Sequence, residues 1–72
     1  MSHKKFAERL NQAFDNIGAP TAYNERIDAF AKLIKVHRFK AESLLNGEMM
    51  PDPALLSLLC SELDVEADWL LG

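Results

Sequence analysis

The chain has 72 residues, of which 49% are apolar and 26% charged, with a formal net charge of −3. That length supports one small domain with its own core, and no apolar run approaches the roughly 20 residues needed to span a bilayer. The single cysteine, Cys60, excludes an internal disulfide and a paired-thiol metal site, and the opening MSHKKFAERL lacks the apolar stretch of a secretory signal, so a reducing cytosol is the expected compartment.

The first elements follow from apolar spacing. Phe6, Leu10, Ala13, Phe14 and Ile17 recur at helical intervals and predict a first helix from about His3 to Asn16. Gly18 suits its C-terminal cap, and Pro20 prevents continuation. Residues 18–23 form a connector, after which Asn24 is placed to cap a second helix ending near Ile34. A third helix is expected over residues 37–45, closed by Asn46-Gly47, and residues 48–51 form a loop in which Met49 and Met50 either cover the core or form a soft partner surface.

Asp52-Pro53 pairs a capping aspartate with proline at the first helical position, a strong start signal. The fourth helix carries Leu55, Leu56, Leu58, Leu59, Cys60 and Leu63, a stripe broad enough to be buried on more than one side. A last short helix over residues 66–71 presents Trp69 and Leu70. Nothing alternates as a strand does, so the expected fold is all-α: five helices in one domain spanning residues 1–72. Residues 1–5 are read as a flexible arm carrying His3, Lys4 and Lys5.

Residues 27–46, IDAFAKLIKVHRFKAESLLN, are the most informative stretch. Phe30, Ile34, Val36, Ala41 and Leu44 are apolar where two crossing helices share a small core, and Ala31 is small where the second passes close over the first. Arg38, Phe39, Lys40, Glu42 and Ser43 point away from that core. This is the pattern of a helix-turn-helix, whose second helix enters the DNA major groove. The charge is also divided. Residues 1–40 hold all eight Lys and Arg against four acids, net +4, while residues 41–72 hold seven acids and no base, net −7. A chain polarised in this way can turn a basic face to phosphate.

The pieces FAKLIKV, LLNGE, the following P-D and the closing LDVEADWLLG stand in an order and spacing that resemble the lambda-repressor-like (XRE-type) helix-turn-helix family, phage-repressor type. The resemblance covers nearly the whole chain. It implies a five-helix bundle with the helix-turn-helix at helices 2 and 3, and repressor activity on a palindromic operator, as in a phage or prophage regulator. By resemblance, Ala31 takes the close-contact position, Val36 the first apolar position after the turn, Ala41 and Leu44 the inward positions of the recognition helix, and Asn46 a phosphate contact. Lys35 stands where the family often has glycine at positive φ, at a cost on the order of 1 kcal/mol. Leu44 replaces a frequent tryptophan.

The base-contacting candidates are His37, Arg38, Phe39, Glu42 and Ser43. Arg38 can fork onto guanine O6 and N7, Glu42 can accept from cytosine N4, and Ser43 can bond several bases. His37 either caps the third helix or donates to DNA. Phe39 meets a thymine methyl, docks on a protein, or packs against the second helix. Glu42 lies four residues after Arg38, so an intrahelical ion pair competes with base reading. The phosphate-contacting candidates are Arg26, Lys32, Lys35, Lys40 and Asn46. No metal-ligand spacing, catalytic pair or glycine-rich phosphate loop is present, so neither an enzyme nor a cofactor is expected.

The leading expectation is a DNA-binding transcriptional regulator acting on double-stranded DNA as a homodimer, with Trp69, Leu70 and Leu71 either supplying dimer contacts or closing the core. It is either a stand-alone regulator or the DNA-binding part of a longer repressor. The competing expectation is a protein-binding module or antitoxin-like regulator on the same fold, docking on a basic partner such as RNA polymerase through its acidic half and Phe39.

Overall fold

A computed structural model describes residues 3–72 and is all-helical among them. The helices are α1 (His3–Asn16), α2 (Tyr23–Ile34), α3 (Arg38–Leu45), α4 (Pro53–Leu63) and α5 (Ala67–Leu71). No helix among the described residues is long and apolar enough to cross a membrane.

Each helix contributes one apolar stripe to a common core. Phe6, Leu10 and Phe14 of α1 lie four residues apart and are buried, as are Ile27, Phe30 and Ile34 of α2. Phe14 and Phe30 meet edge to face, with ring centroids 5.2 Å apart and planes at 62°. Ala41 and Leu44 close the core from α3, Leu55, Leu59 and Leu63 from α4, and Leu70 from α5. Helix α2 packs most extensively on α3, and α1 on α5.

The stops are local. After α1, Gly18 takes φ 87° while its N–H reaches the Asp15 carbonyl and that of Ala19 reaches Phe14, at 3.0 and 3.3 Å, a Schellman ending. Ile17 lies in this turn, past the end of α1, and is 48% exposed. After α3, Gly47 (φ 76°) does the same, with Glu48 N–H on the Ser43 carbonyl at 2.9 Å. A Cβ on Gly47 would come within 3.1 Å of both Ala7 Cβ and the His3 carbonyl, so glycine there also admits the first turn of α1.

One corner is used twice. Lys35 (φ 57°) and Asp64 (φ 56°) both adopt the left-handed conformation, and in each case the following valine donates back five residues: Val36 to Ala31 at 3.0 Å, and Val65 to Cys60 at 3.1 Å. Each valine packs against the core, and an extended cap residue, His37 or Glu66, then opens the next helix.

Two sequence expectations are corrected. Helix α2 begins two residues early, with Ala22 at the cap position and no side-chain cap; Asn24 lies inside the helix, and its side chain accepts from Arg38 of α3 instead. His3, Lys4 and Lys5 are exposed but helical, forming the start of α1 and not a separate arm; Met1 and Ser2 lie outside the described residues. At the other end, Leu70 is fully buried and Arg9 stacks on Trp69 with its carbon 5.3 Å from the ring centroid, also donating to the Trp69 carbonyl, so this end of α5 serves the fold. Asp52 caps α4 as expected, accepting from Leu55 N–H at 2.8 Å.

Candidate nucleic-acid interface

Three residues, 35–37, separate α2 from α3, and the outward side of α3 begins at once. The inward positions Ala41, Leu44 and Leu45 are buried. At 100° per residue, the opposite direction centres on Phe39, Ser43 and Asn46. Phe39 is 73% exposed in the first turn, so packing against α2 is ruled out as the reason for an aromatic there. Ser43 is half-buried, without a side-chain hydrogen bond among the described residues.

His37 sits at the cap position of α3, its Nδ1 accepting from Phe39 N–H at 3.1 Å. A neutral imidazole that accepts at Nδ1 carries its proton on Nε2, so this residue caps the helix and still offers a donor outward. Both readings of His37 are compatible in one tautomer.

A polar seam along α2 engages the remaining outward residues. Arg38 donates from Nη1 to the Asp28 carboxylate and from Nη2 to Asn24 Oδ1 at 2.7 Å. The Tyr23 hydroxyl donates to Glu42 at 2.6 Å and accepts from Asn46 Nδ2 at 3.1 Å. The expected Arg38–Glu42 pair is therefore absent: each residue has a better-placed partner on α2. Tyr23 was not among the sequence candidates, because its reach to α3 depends on how the two helices cross. Glu42 and Asn46 must leave the tyrosine, or share it, to contact DNA.

Arg26 is corrected as a phosphate contact. Its side chain is only 12% exposed and its guanidinium is consumed internally. It bonds Asn11 Oδ1 through Nε and Nη2, at 3.2 and 3.0 Å, and the Asn11 carbonyl through Nη2 at 3.0 Å. Its Nη1 reaches Asp15 at 2.6 Å and the Pro20 carbonyl at 3.1 Å, and its carbon lies 4.9 Å from the centroid of Phe14. This arginine fastens the 18–22 connector to α1. Lys32, Lys35 and Lys40 behave otherwise. Lys32 and Lys35 are exposed, Lys40 is half-buried, and none forms an ion pair among the described residues. They bracket the corner and the start of α3.

No family model, curated protein or solved structure matches the chain. Its own chemistry is the guide. The described residues contain no group of three or more side chains suited to a metal. Cys60 is half-buried, and its thiol is pushed above the ordinary range by burial and then by the negative charge of Glu66, as suits a core residue. The outward side of α3 combines an exposed aromatic, a neutral hydroxyl, a capped histidine and three unpaired lysines nearby in sequence. Such a surface can neutralise phosphates and touch base edges.

Proposed function

We propose that the chain is a sequence-specific DNA-binding regulator of the phage-repressor type. In this reading α2 and α3 form a helix-turn-helix, α3 lies in the major groove, and two copies bind a two-fold symmetric operator with half-sites about 34 Å apart. The observation that carries it is Phe39: an aromatic 73% exposed in the first turn of α3, bracketed in sequence by Lys32, Lys35 and Lys40. An exposed phenylalanine calls for a partner, and a thymine methyl in the groove is one that lysines would accompany. Lys32, Lys35 and Lys40 hold phosphates, and His37, Arg38, Phe39 and Ser43 face bases.

A protein-binding role is favoured by a different observation. Arg38, Glu42 and Asn46 already have partners on α2, which leaves few unengaged groups for DNA. The acidic half, residues 41–72, would then dock on a basic protein.

Selection of the purified chain on a random duplex pool at low salt tests the first reading, with affinity then followed as salt is raised. A two-fold symmetric motif and a steep loss of affinity with salt support it, since displaced counterions make phosphate contacts salt-dependent. A folded protein that enriches no motif rejects it in favour of the second.

A further inference from the structure

Arg38 is exposed, yet it is not loose. Its Nη1 donates to the Asp28 carboxylate and, at 3.3 Å, to the Asn24 carbonyl; its Nη2 donates to Asn24 Oδ1 at 2.7 Å. A guanidinium has five N–H donors in a fixed plane. Three are engaged on α2, both hydrogens of Nη1 among them. Nε has no partner among the described residues and Nη2 has one hydrogen beyond its bond to Asn24, and these two nitrogens can donate side by side from the guanidinium plane.

A pair of that kind is what guanine O6 and N7 accept in the major groove. The side chain is 43% exposed, so solvent and ligand can reach it. Asp28 also offsets the positive charge, which weakens the pull of Arg38 toward phosphates of any sequence. An arginine without such anchors would lose side-chain freedom on docking and could equally swing to the backbone. Anchored through Nη1, it arrives ordered and with one edge to offer.

We infer that Asp28 and Asn24 are positioning residues, presetting Arg38 to read one guanine through Nε and Nη2, so that α2 shares in the specificity of α3. This rests on the DNA-binding reading above. Arg38 then supplies discrimination among sequences, and the lysines supply affinity for all of them.

The test is selection on the random duplex pool for the parent, Arg38→Ala, Asp28→Ala, Asn24→Ala and Glu25→Ala. Glu25 is an exposed acid on the same helix without a bond to Arg38, so its removal controls for the charge change. The expected result is a guanine in the parent motif, preferred by roughly ten- to a hundredfold. Arg38→Ala abolishes that preference, and Asp28→Ala and Asn24→Ala each weaken it at the same base pair. Glu25→Ala keeps it, and the Asp28→Ala protein melts close to the parent. A motif in Asp28→Ala that matches the parent's, or that prefers the guanine more strongly, overturns the inference; in the latter case the ion pair restrains Arg38 and does not present it. A guanine preference that survives Arg38→Ala also overturns it. If the folded parent enriches no motif at all, the DNA-binding reading itself fails and takes this inference with it.

Discussion

The Tyr23 hydroxyl donates to the Glu42 carboxylate at 2.6 Å, tying the first residue of α2 to the middle of α3. Arg38 and Glu42 of α3 and Asn46 at its C-terminal cap, spaced by four, all bond to α2, so a polar seam runs beside the apolar contact of the two helices. The seam lies at the surface, where each bond contributes little to stability but much to which rotamers are occupied.

Tyr23→Phe removes both hydroxyl bonds and keeps the ring. The expected loss is about 0.5–1.5 kcal/mol, read by urea denaturation. A loss well beyond that range would mean the hydroxyl organises more than the seam.

Arg26→Ala should cost more, about 2–4 kcal/mol, because it strips Asn11 and Asp15 of a shared donor and uncovers Phe14. Arg26→Lys recovers only part, since an ammonium cannot span the same acceptors. If the chain binds DNA as proposed, the variant's affinity should equal the parent's at temperatures where it stays folded. A tenfold weaker affinity of the folded variant would return Arg26 to the phosphate contacts.

The two left-handed corners give a matched comparison. Glycine relieves an αL cost on the order of 1 kcal/mol, while its freedom in the unfolded chain takes back about 0.4–1 kcal/mol. Lys35→Gly should gain a few tenths of a kcal/mol, and Asp64→Gly close to nothing, because aspartate tolerates this conformation better than lysine. Thermal melts of both variants decide the order. If Lys35 holds a phosphate, Lys35→Gly also lowers the salt slope of DNA binding by about one.

Phe39→Ala should leave stability within about 0.5 kcal/mol of the parent, because the ring is largely in solvent. If α3 reads DNA as proposed, the selected motif should lose a thymine. Marked destabilisation would show that the ring supports the fold, and an unchanged motif would move Phe39 to a protein-facing role.

Cys60 should alkylate more slowly than a free thiol at neutral pH, because burial and then Glu66 disfavour its thiolate. The rate should rise only as pH climbs above the ordinary thiol range. Glu66→Gln recovers the smaller share of the effect. Rates measured against pH check this, and reaction as fast as a small free thiol would refute it.

Much of the architecture is legible in the sequence because its signals are local. Apolar recurrence delimits α1, Asp52-Pro53 opens α4, and Gly18 and Asn46-Gly47 end their helices where expected. The candidate site is less legible. Intrahelical spacing pairs Arg38 with Glu42, but Asp28 and Tyr23 win them through the crossing of α2 and α3. Arg26 looks like a surface cation until Asn11 and Asp15 of α1 close around it. Asn24 is a good capping residue in isolation, and tertiary contact gives its side chain other work. In each case the deciding partner is ten or more residues away.

Helix α3 has eight residues, fewer than the roughly 12–15 at which an isolated helix begins to persist in water. Its shape is imposed from outside, by the corner at one end and by the approach of Gly47 to the first turn of α1 at the other. A synthetic peptide copying Arg38–Leu45 would therefore be mostly coil and would not inherit whatever the intact surface binds. Carrying that surface to another scaffold means transplanting α2 with its seam, or replacing that support by a chemical staple.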